Sequence, residues 1–508
     1  MLTFFCGGSV LAKNIIIFSD GTGQAGGLLP DETRSNVYKL YRATRVCPDT
    51  SIDPAHQLAF YDVGLGSKAA GGNIRIAWWR RLYNILGSAT GLGITQNIID
   101  CYAAILQVWE PDDRIYLLGF SRGAYTVRCV GAALSLCGVP TRSESGEPLR
   151  RDPASAKALA SEAIRQVYQF GAGKTEKDGT ANKLLEGVRN ELAADFRKRY
   201  ASAAPNDANL SNAYPYFIGV WDTVAALGLT TRRFLGLGLA VAVTLGLLAL
   251  IMDFFLVRFG HYFSAALFWQ SYLRVTGLSA AVAVLAYLAF YVKFTTKSKI
   301  PWYETLHLTG WKMVFYNTEL NPFIQHARHA LSIDENRKEF KNVPWTKGKQ
   351  VVTVGKKGAE TQLIQTWFAG VHSDVGGSYI ENEARLSDIA LKWMIDQAIS
   401  LPKPLLVDAS VLHLWPSADG PQHDERKATV ASWPGWFVWL MTLIWKREEL
   451  GWKPWVREVP RDAPLDPSVL ARLQLRAVLR YDLTEPYRPK ALEHHVQAHH
   501  LYPPANGV

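Results

Sequence analysis

Ser121 lies in Gly119-Phe120-Ser121-Arg122-Gly123, and a serine set between glycines on a sharp strand-to-helix turn is the pattern of an exposed nucleophile. A serine hydroxyl is a poor nucleophile at neutral pH until a histidine takes its proton, and that histidine needs a carboxylate to fix its tautomer and stabilise the imidazolium. Two later residues stand at the carboxyl ends of apolar runs: Asp222 after Tyr216-Phe217-Ile218-Gly219-Val220-Trp221, and His372 shortly after Leu363 to Phe368. The chain order Ser121, Asp222, His372 is that of the α/β-hydrolase triad. Ser121 is therefore the expected nucleophile, His372 the general base and Asp222 the orienting acid.

A tetrahedral intermediate also needs two N–H groups aimed at its oxyanion. Arg122 would give one through its backbone, and the Asp20-Gly21-Thr22 loop is placed for the other, with Gly21 the better candidate because it lets the backbone approach closely. Asp374 is a second carboxylate near His372, but a neighbour two residues away on one short loop is badly placed to reach behind the imidazole; with Gly376 and Gly377 it is expected to fix the turn instead. A metallophosphatase set of Asp20, Asp222, His372 and Asp374 would leave the serine turn without a purpose, so neither metal nor cofactor is expected. Gly173-Lys174-Thr175 is no phosphate loop, since Tyr168 replaces the first glycine and a helical pattern precedes it, and Gly87 to Gly93 lacks the Gly-x-Gly-x-x-Gly order. His494, His495, His499 and His500 read as an exposed tail.

These residues need a scaffold. Asn14 to Ser19 is a continuous β-branched run typical of a buried parallel strand, and Leu58 to Tyr61 suggests a second. Gly93 to Trp109 has helical spacing and feeds a strand at Arg114 to Leu118, after which Ala124 to Leu136 is helical, a βαβ arrangement that implies a parallel sheet. Segment 13–140 is thus the first half of a hydrolase core. Segment 141–215, charged and Ala-rich with helices at 154–170 and 182–200, is expected to be a helical cap. Segment 216–230 carries the strand with the triad acid. Segment 301–400 completes the core with a strand at Lys312 to Asn317, a helix at Pro322 to Ser332, a strand at Leu363 to Phe368 and a helix at Leu386 to Ile399. The remainder, 401–508, includes the Trp-rich, kinked stretch Val430 to Trp445, which suits a lipid interface.

With 508 residues and a net charge of +10, the chain can bury a full core, and its basic residues are spread out rather than massed in a nucleic-acid-binding arm. No nucleic-acid partner is expected. Its five cysteines form no Cys-x-x-Cys pair, which fits a reducing compartment, and Met1 to Ala12 lacks the basic start of a signal peptide. Phe234 to Met252 and Val275 to Val292 are uncharged and each long enough to span a bilayer. Segment 231–300 is accordingly expected to be a transmembrane hairpin, with the charge bias of its flanks holding the catalytic domain on the cytoplasmic side of an inner membrane. The expected fold is α/β, α/β-hydrolase-like, with a mostly parallel sheet, a helical cap insertion and a two-helix transmembrane hairpin insertion.

Four motifs in order, Phe18-Ser19-Asp20-Gly21-Thr22, Gly119 to Ala124, Gly219 to Val224 and Gly370 to Gly377, resemble the α/β-hydrolase domain of type VI secretion phospholipase effectors, the Tle-one-like class. Ala327 to Arg337 fits the same pattern. The resemblance covers most of 13–400 and implies a lipid ester substrate, a triad at Ser121, Asp222 and His372, and, for an effector, an immunity protein or secretion-apparatus partner. The function expected is a membrane-associated serine hydrolase of phospholipase type. The alternatives are an injected antibacterial phospholipase acting at a target-cell membrane and an inactive hydrolase fold serving as a membrane scaffold.

Overall fold

Runs of apolar residues without polar alternation fit strands covered on both faces, and six strands, most of them of this kind, build the central sheet. In the computed structural model they are β1 (Asn14–Ser19), β2 (Gln57–Asp62), β3 (Arg114–Phe120), β4 (Pro215–Trp221), β5 (His326–Ser332) and β6 (Leu363–Phe368). The structure describes residues 12–21, 32–63, 92–171, 180–224, 246–247, 250–251, 265–308, 318–346, 362–431, 435–442, 450–480 and 483–502. The strand order is β6–β5–β4–β3–β1–β2, and every neighbouring pair is parallel. The chain runs outward from β1 to β2 and then returns to the other side of β1 with β3. The switch point thus falls between the carboxyl ends of β1 and β3, where open parallel sheets bind their ligands.

Alternate side chains of each strand enter opposite layers. On one face Ile16, Phe18, Tyr116, Leu118, Phe217 and Trp221 pack with Val37 and Leu40 of helix α1 (Asn36–Thr44) and with Leu391 and Met394 of a later helix, Arg385–Ile399. On the other, α3 (Arg122–Cys137) comes so close at Gly131 that a Cβ there would lie 3.0 Å from Ile218 Cδ1 and 3.5 Å from Leu117 Cδ1. Helix α2 (Leu92–Val108) precedes β3.

Within 141–215 the expected helices are present as α4 (Pro153–Glu162), a π-helical turn (Ala163–Tyr168) and α5 (Thr180–Tyr200). α4 lies beside α2, with Lys157 Nζ 2.7 Å from Asp100 Oδ1. The expected helix at Pro322 to Ser332 is instead strand β5 from His326, buried at every position. Its histidines and arginine make it look unlike a core strand, but Arg328 and His329 find partners inside: Arg328 Nε donates to Gln397 Oε1 at 2.7 Å, and His329 Nδ1 lies 3.3 Å from Gln365 Oε1. The strand expected at Lys312 to Asn317 lies outside the described residues.

Two compact units separate along the chain. One comprises 1–169, 190–227 and 315–508 and contains the sheet; the other comprises 170–189 and 228–314. In the second, α6 (Ala265–Tyr291) leads into a two-residue strand, Val292–Lys293, paired antiparallel with His307–Leu308.

Here the sequence expectation is overturned. Among the described residues no helix is long and apolar enough to cross a membrane, so the transmembrane hairpin at 231–300 is not part of the fold. α6 starts ten residues before the expected second span and carries Gln270, Ser271, Arg274 and Thr276 in its first half, while Val292, the expected last spanning residue, already belongs to a strand. Of the first expected span, 234–245 lies outside the described residues. The inner-membrane placement argued from the hairpin loses its support with it.

Residues 463–473 pack onto the sheet's edge. Trp367 N donates to Pro464 O at 2.9 Å, and Asp466 N donates to Trp367 O at 3.0 Å, so this segment pairs with β6. Ala463, Val469, Leu473, Val478, Tyr487 and Leu492 bury Leu331 and Trp367. An edge strand covered in this way offers no open ladder to another chain.

Candidate active site

Ser121 is the single residue between β3 and α3, and its backbone sits at φ 59°, ψ −118°. A non-glycine residue with positive φ is strained, and the elbow is held by packing: a Cβ on Gly123 would lie 2.0 Å from Ser19 O, and one on Gly119 would lie 2.5 Å from Gly123 O. Only glycine lets β1, the turn and α3 approach this closely. Ser121 N donates to Trp221 O at 3.1 Å, tying the turn to the end of β4.

The next residue after β4 is Asp222, also at positive φ, 38°, and fully buried. His372 opens a short helix, α7 (His372–Gly376), and its Nδ1 lies 2.5 Å from Asp222 Oδ2. The imidazole is flanked by Phe120, the residue preceding Ser121, at 4.7 Å between ring centroids and by Phe340 at 5.2 Å. His372 Nε2 is buried with no hydrogen-bond partner among the described residues. A buried nitrogen left unpaired is uncommon.

Asp222 has more partners than the imidazole. Ser332 donates to it through both N (3.1 Å) and Oγ (3.2 Å). Arg457, itself fully buried, donates from Nη1 to Oδ1 at 2.5 Å and from Nη2 to Oδ2 at 2.9 Å. Burial by itself would push the Asp222 carboxyl up, but Arg457 and His372 outweigh it and hold the group below the usual carboxylate range. The neighbouring His329 is driven down to about 3 by burial, so it is neutral beside the pair; its Nε2 accepts from Thr223 N at 3.2 Å.

The His372 loop is pinned separately. Its backbone N donates to Glu335 Oε2 at 3.1 Å, and Glu335 is gripped by Arg337 through Nε (2.7 Å) and Nη2 (2.8 Å). Asp374 does not face the imidazole of His372. Its Oδ2 accepts from Val371 N at 3.0 Å, and its Oδ1 lies 2.7 Å from His423 Nδ1, which is the turn-fixing arrangement. Burial pushes Asp374 up, against the pull of His423.

On the oxyanion side, Arg122 is the first residue of α3, where backbone N–H groups have no partner within the helix. A Cβ on Gly21 would lie 3.4 Å from Ser121 Cβ, so Gly21 adjoins the nucleophile, but its N–H donates to Asp20 Oδ1 at 2.7 Å. Asp20 also accepts from Ser35 Oγ at 2.5 Å and from Tyr61 Oη at 2.6 Å, and burial lifts it to about 6. Thr22 lies outside the described residues. Among those residues no group of acidic, histidine and cysteine side chains is arranged to hold a metal.

Sequence reasoning passed over Arg457, Ser332, Glu335, Arg337 and His423. Ser332, Glu335 and Arg337 lie inside the Ala327 to Arg337 motif and could have been read from it. Arg457 and His423 belong to no motif.

A parallel α/β sheet whose central strand ends in a Gly-x-Ser-x-Gly turn at the switch point is the architecture of an α/β-type hydrolase. The comparison with protein families makes the class specific: the chain belongs to the family described as the T6SS phospholipase effector Tle1-like catalytic domain, whose model matches residues 13–245 and 286–397. Among curated proteins it is similar to the uncharacterized protein YEL023C of Saccharomyces cerevisiae, 23% identical over 423 residues. That match takes in 76% of this chain and 57% of the relative, so the chain spans little more than half the relative's length.

Proposed function

We propose that the chain is a serine phospholipase working through Ser121, His372 and Asp222. The observation that carries this reading is the position of Ser121, alone on a strained turn at the switch point, with the adjoining Phe120 ring packed against an imidazole whose far nitrogen is held by Asp222. In the first step Ser121 Oγ attacks the ester carbonyl carbon as His372 Nε2 takes the hydroxyl proton. The negative charge on the carbonyl oxygen is met by the N–H of Arg122 and by Gly21 once its N–H turns from Asp20. His372 then returns the proton to the departing lysolipid or alcohol oxygen. Water, deprotonated by the same imidazole, releases the fatty acid and restores Ser121.

Phospholipid is the substrate class the family description names, and exposed Trp436 and Trp439 on the helix Gly435–Thr442, 68% and 64% accessible, support binding at a lipid surface. The family description also makes delivery as an effector, with an immunity protein as partner, the companion reading. The test is product analysis on vesicles of defined phospholipids. Wild type should release fatty acid and label with a fluorophosphonate, and Ser121→Ala should do neither, with kcat down by about 10⁶-fold. Retained labelling in Ser121→Ala would remove the serine mechanism, whatever the substrate.

A further inference from the structure

The family's matched residues end at 397, yet the carboxylate behind His372 is gripped from beyond that point. Arg457 reaches Asp222 with both terminal nitrogens, and those nitrogens are in turn held by Ser332 O at 3.2 Å and Phe340 O at 2.8 Å. The guanidinium is therefore fixed in place by four acceptors rather than hanging on the carboxylate alone. A planar fork on a carboxylate sets its rotation as well as its charge.

We propose that Arg457 is the positioning residue of the Asp222–His372 pair, so that the segment after residue 401 is an integral part of the catalytic centre and not an appendage to it. The proposal rests on the reading of Ser121, His372 and Asp222 as the triad. Asp222 is fully buried, where an isolated carboxylate is costly and gives up its charge by taking a proton. A protonated or rotated Asp222 no longer accepts from His372 Nδ1 in the tautomer that leaves Nε2 free for the serine proton. Ser332 alone does not prevent this, because its N and Oγ are neutral donors that stabilise the charge less than an arginine does. His372 Nδ1 and Arg457 Nη2 meet the same oxygen, Oδ2, while Arg457 Nη1 holds Oδ1. Arg457 thus turns Oδ2 toward the imidazole.

A double-mutant cycle on a soluble short-chain ester tests this. Arg457→Gln should lower kcat about 10- to 100-fold, the range seen when a group orienting a reactive side chain is lost, with KM within about twofold, and should slow fluorophosphonate labelling in proportion. Arg457→Lys keeps the charge but not the fork and should recover part of the loss. In the Asp222→Asn background Arg457→Gln should cost less than about threefold more, because its effect runs through the carboxylate. The double variant leaves no unpaired buried charge and is the decisive comparison if Arg457→Gln alone does not fold. Wild-type kcat in Arg457→Gln, a loss confined to KM, or a full additive loss in the double variant overturns the proposal. Ser121→Ala run alongside separates the levels: if it is inactive while the cycle is additive, the triad stands and the role of Arg457 falls.

Discussion

Phe120 occupies the space that a side chain on Gly376 would need: a Cβ there would lie 1.9 Å from Phe120 Cε2. One residue precedes the serine and the other closes the His372 helix, so the two halves of the site are in direct contact at this point. Gly376→Ala must displace the Phe120 ring or the helix. It should cost about 1–3 kcal/mol of stability and most of the fluorophosphonate labelling. Thermal melting and a labelling time course check it; wild-type behaviour in both would show that the contact is dispensable.

The two acidic residues near His372 should separate kinetically. Asp222→Asn keeps the shape and loses the charge, and should lower kcat by up to about 10⁴-fold. Asp374→Asn should act through the loop it fixes with Val371 and His423, damaging stability and KM as much as kcat. Steady-state kinetics and melting curves on the two variants decide; an inactive Asp374→Asn beside a near-normal Asp222→Asn would reverse the assignment.

Asp62 is lifted to about 7 and Asp20 to about 6, in both cases by burial. A carboxyl whose folded pKa lies above its unfolded value binds protons more tightly when folded. Its contribution to stability is therefore present at low pH and is lost as pH rises from the ordinary value of 3.8 through the folded one. Asp62→Asn should accordingly flatten the fall in Tm between pH 5 and pH 8, and unchanged slopes in calorimetry would contradict it. Ser19 Oγ and Asn97 Nδ2 both donate to Asp62 Oδ2, at 2.8 Å each, and the amide oxygen of the variant has the two lone pairs needed to accept both, so the fold should be kept.

Trp436→Ser with Trp439→Ser should lower hydrolysis of phospholipid vesicles about tenfold or more, from the loss of buried aromatic area at the lipid, while a soluble short-chain ester is turned over as before. Vesicle flotation with rate measurements on both substrates checks it. Equal losses on the two substrates would place these residues in folding rather than in surface binding.

What could be read from sequence follows burial. β1, β3 and β4 are β-branched or aromatic at nearly every position because layers cover both faces, and the Gly-x-Ser-x-Gly turn is local, so core and nucleophile were legible together. β5 was taken for a helix because Arg328 and His329 satisfy polar groups with partners distant in sequence, which no periodicity reports. The membrane hairpin was misread because hydropathy over 275–292 ignores where the helix begins and ends. Asp222 and His372 were legible as strand-end polar residues, whereas Arg457 was not. A lone arginine in a polar stretch becomes distinctive only once folding places a buried carboxylate beside it.

The separation between Asp222 and Arg457 is 235 residues, and it sets an order of events during synthesis. At about 5–20 residues per second on the ribosome, Arg457 is made roughly 10 to 50 s after Asp222, by which time all six sheet strands have been synthesised. Through that interval Asp222 has no Arg457 to sit against. Chains arrested before Arg457 should react with a fluorophosphonate at least about 10- to 100-fold more slowly than the full chain, as is expected of Arg457→Gln. The carboxylate and the arginine that grips it are therefore brought together only late in synthesis, long after the turn that carries Ser121 has been made.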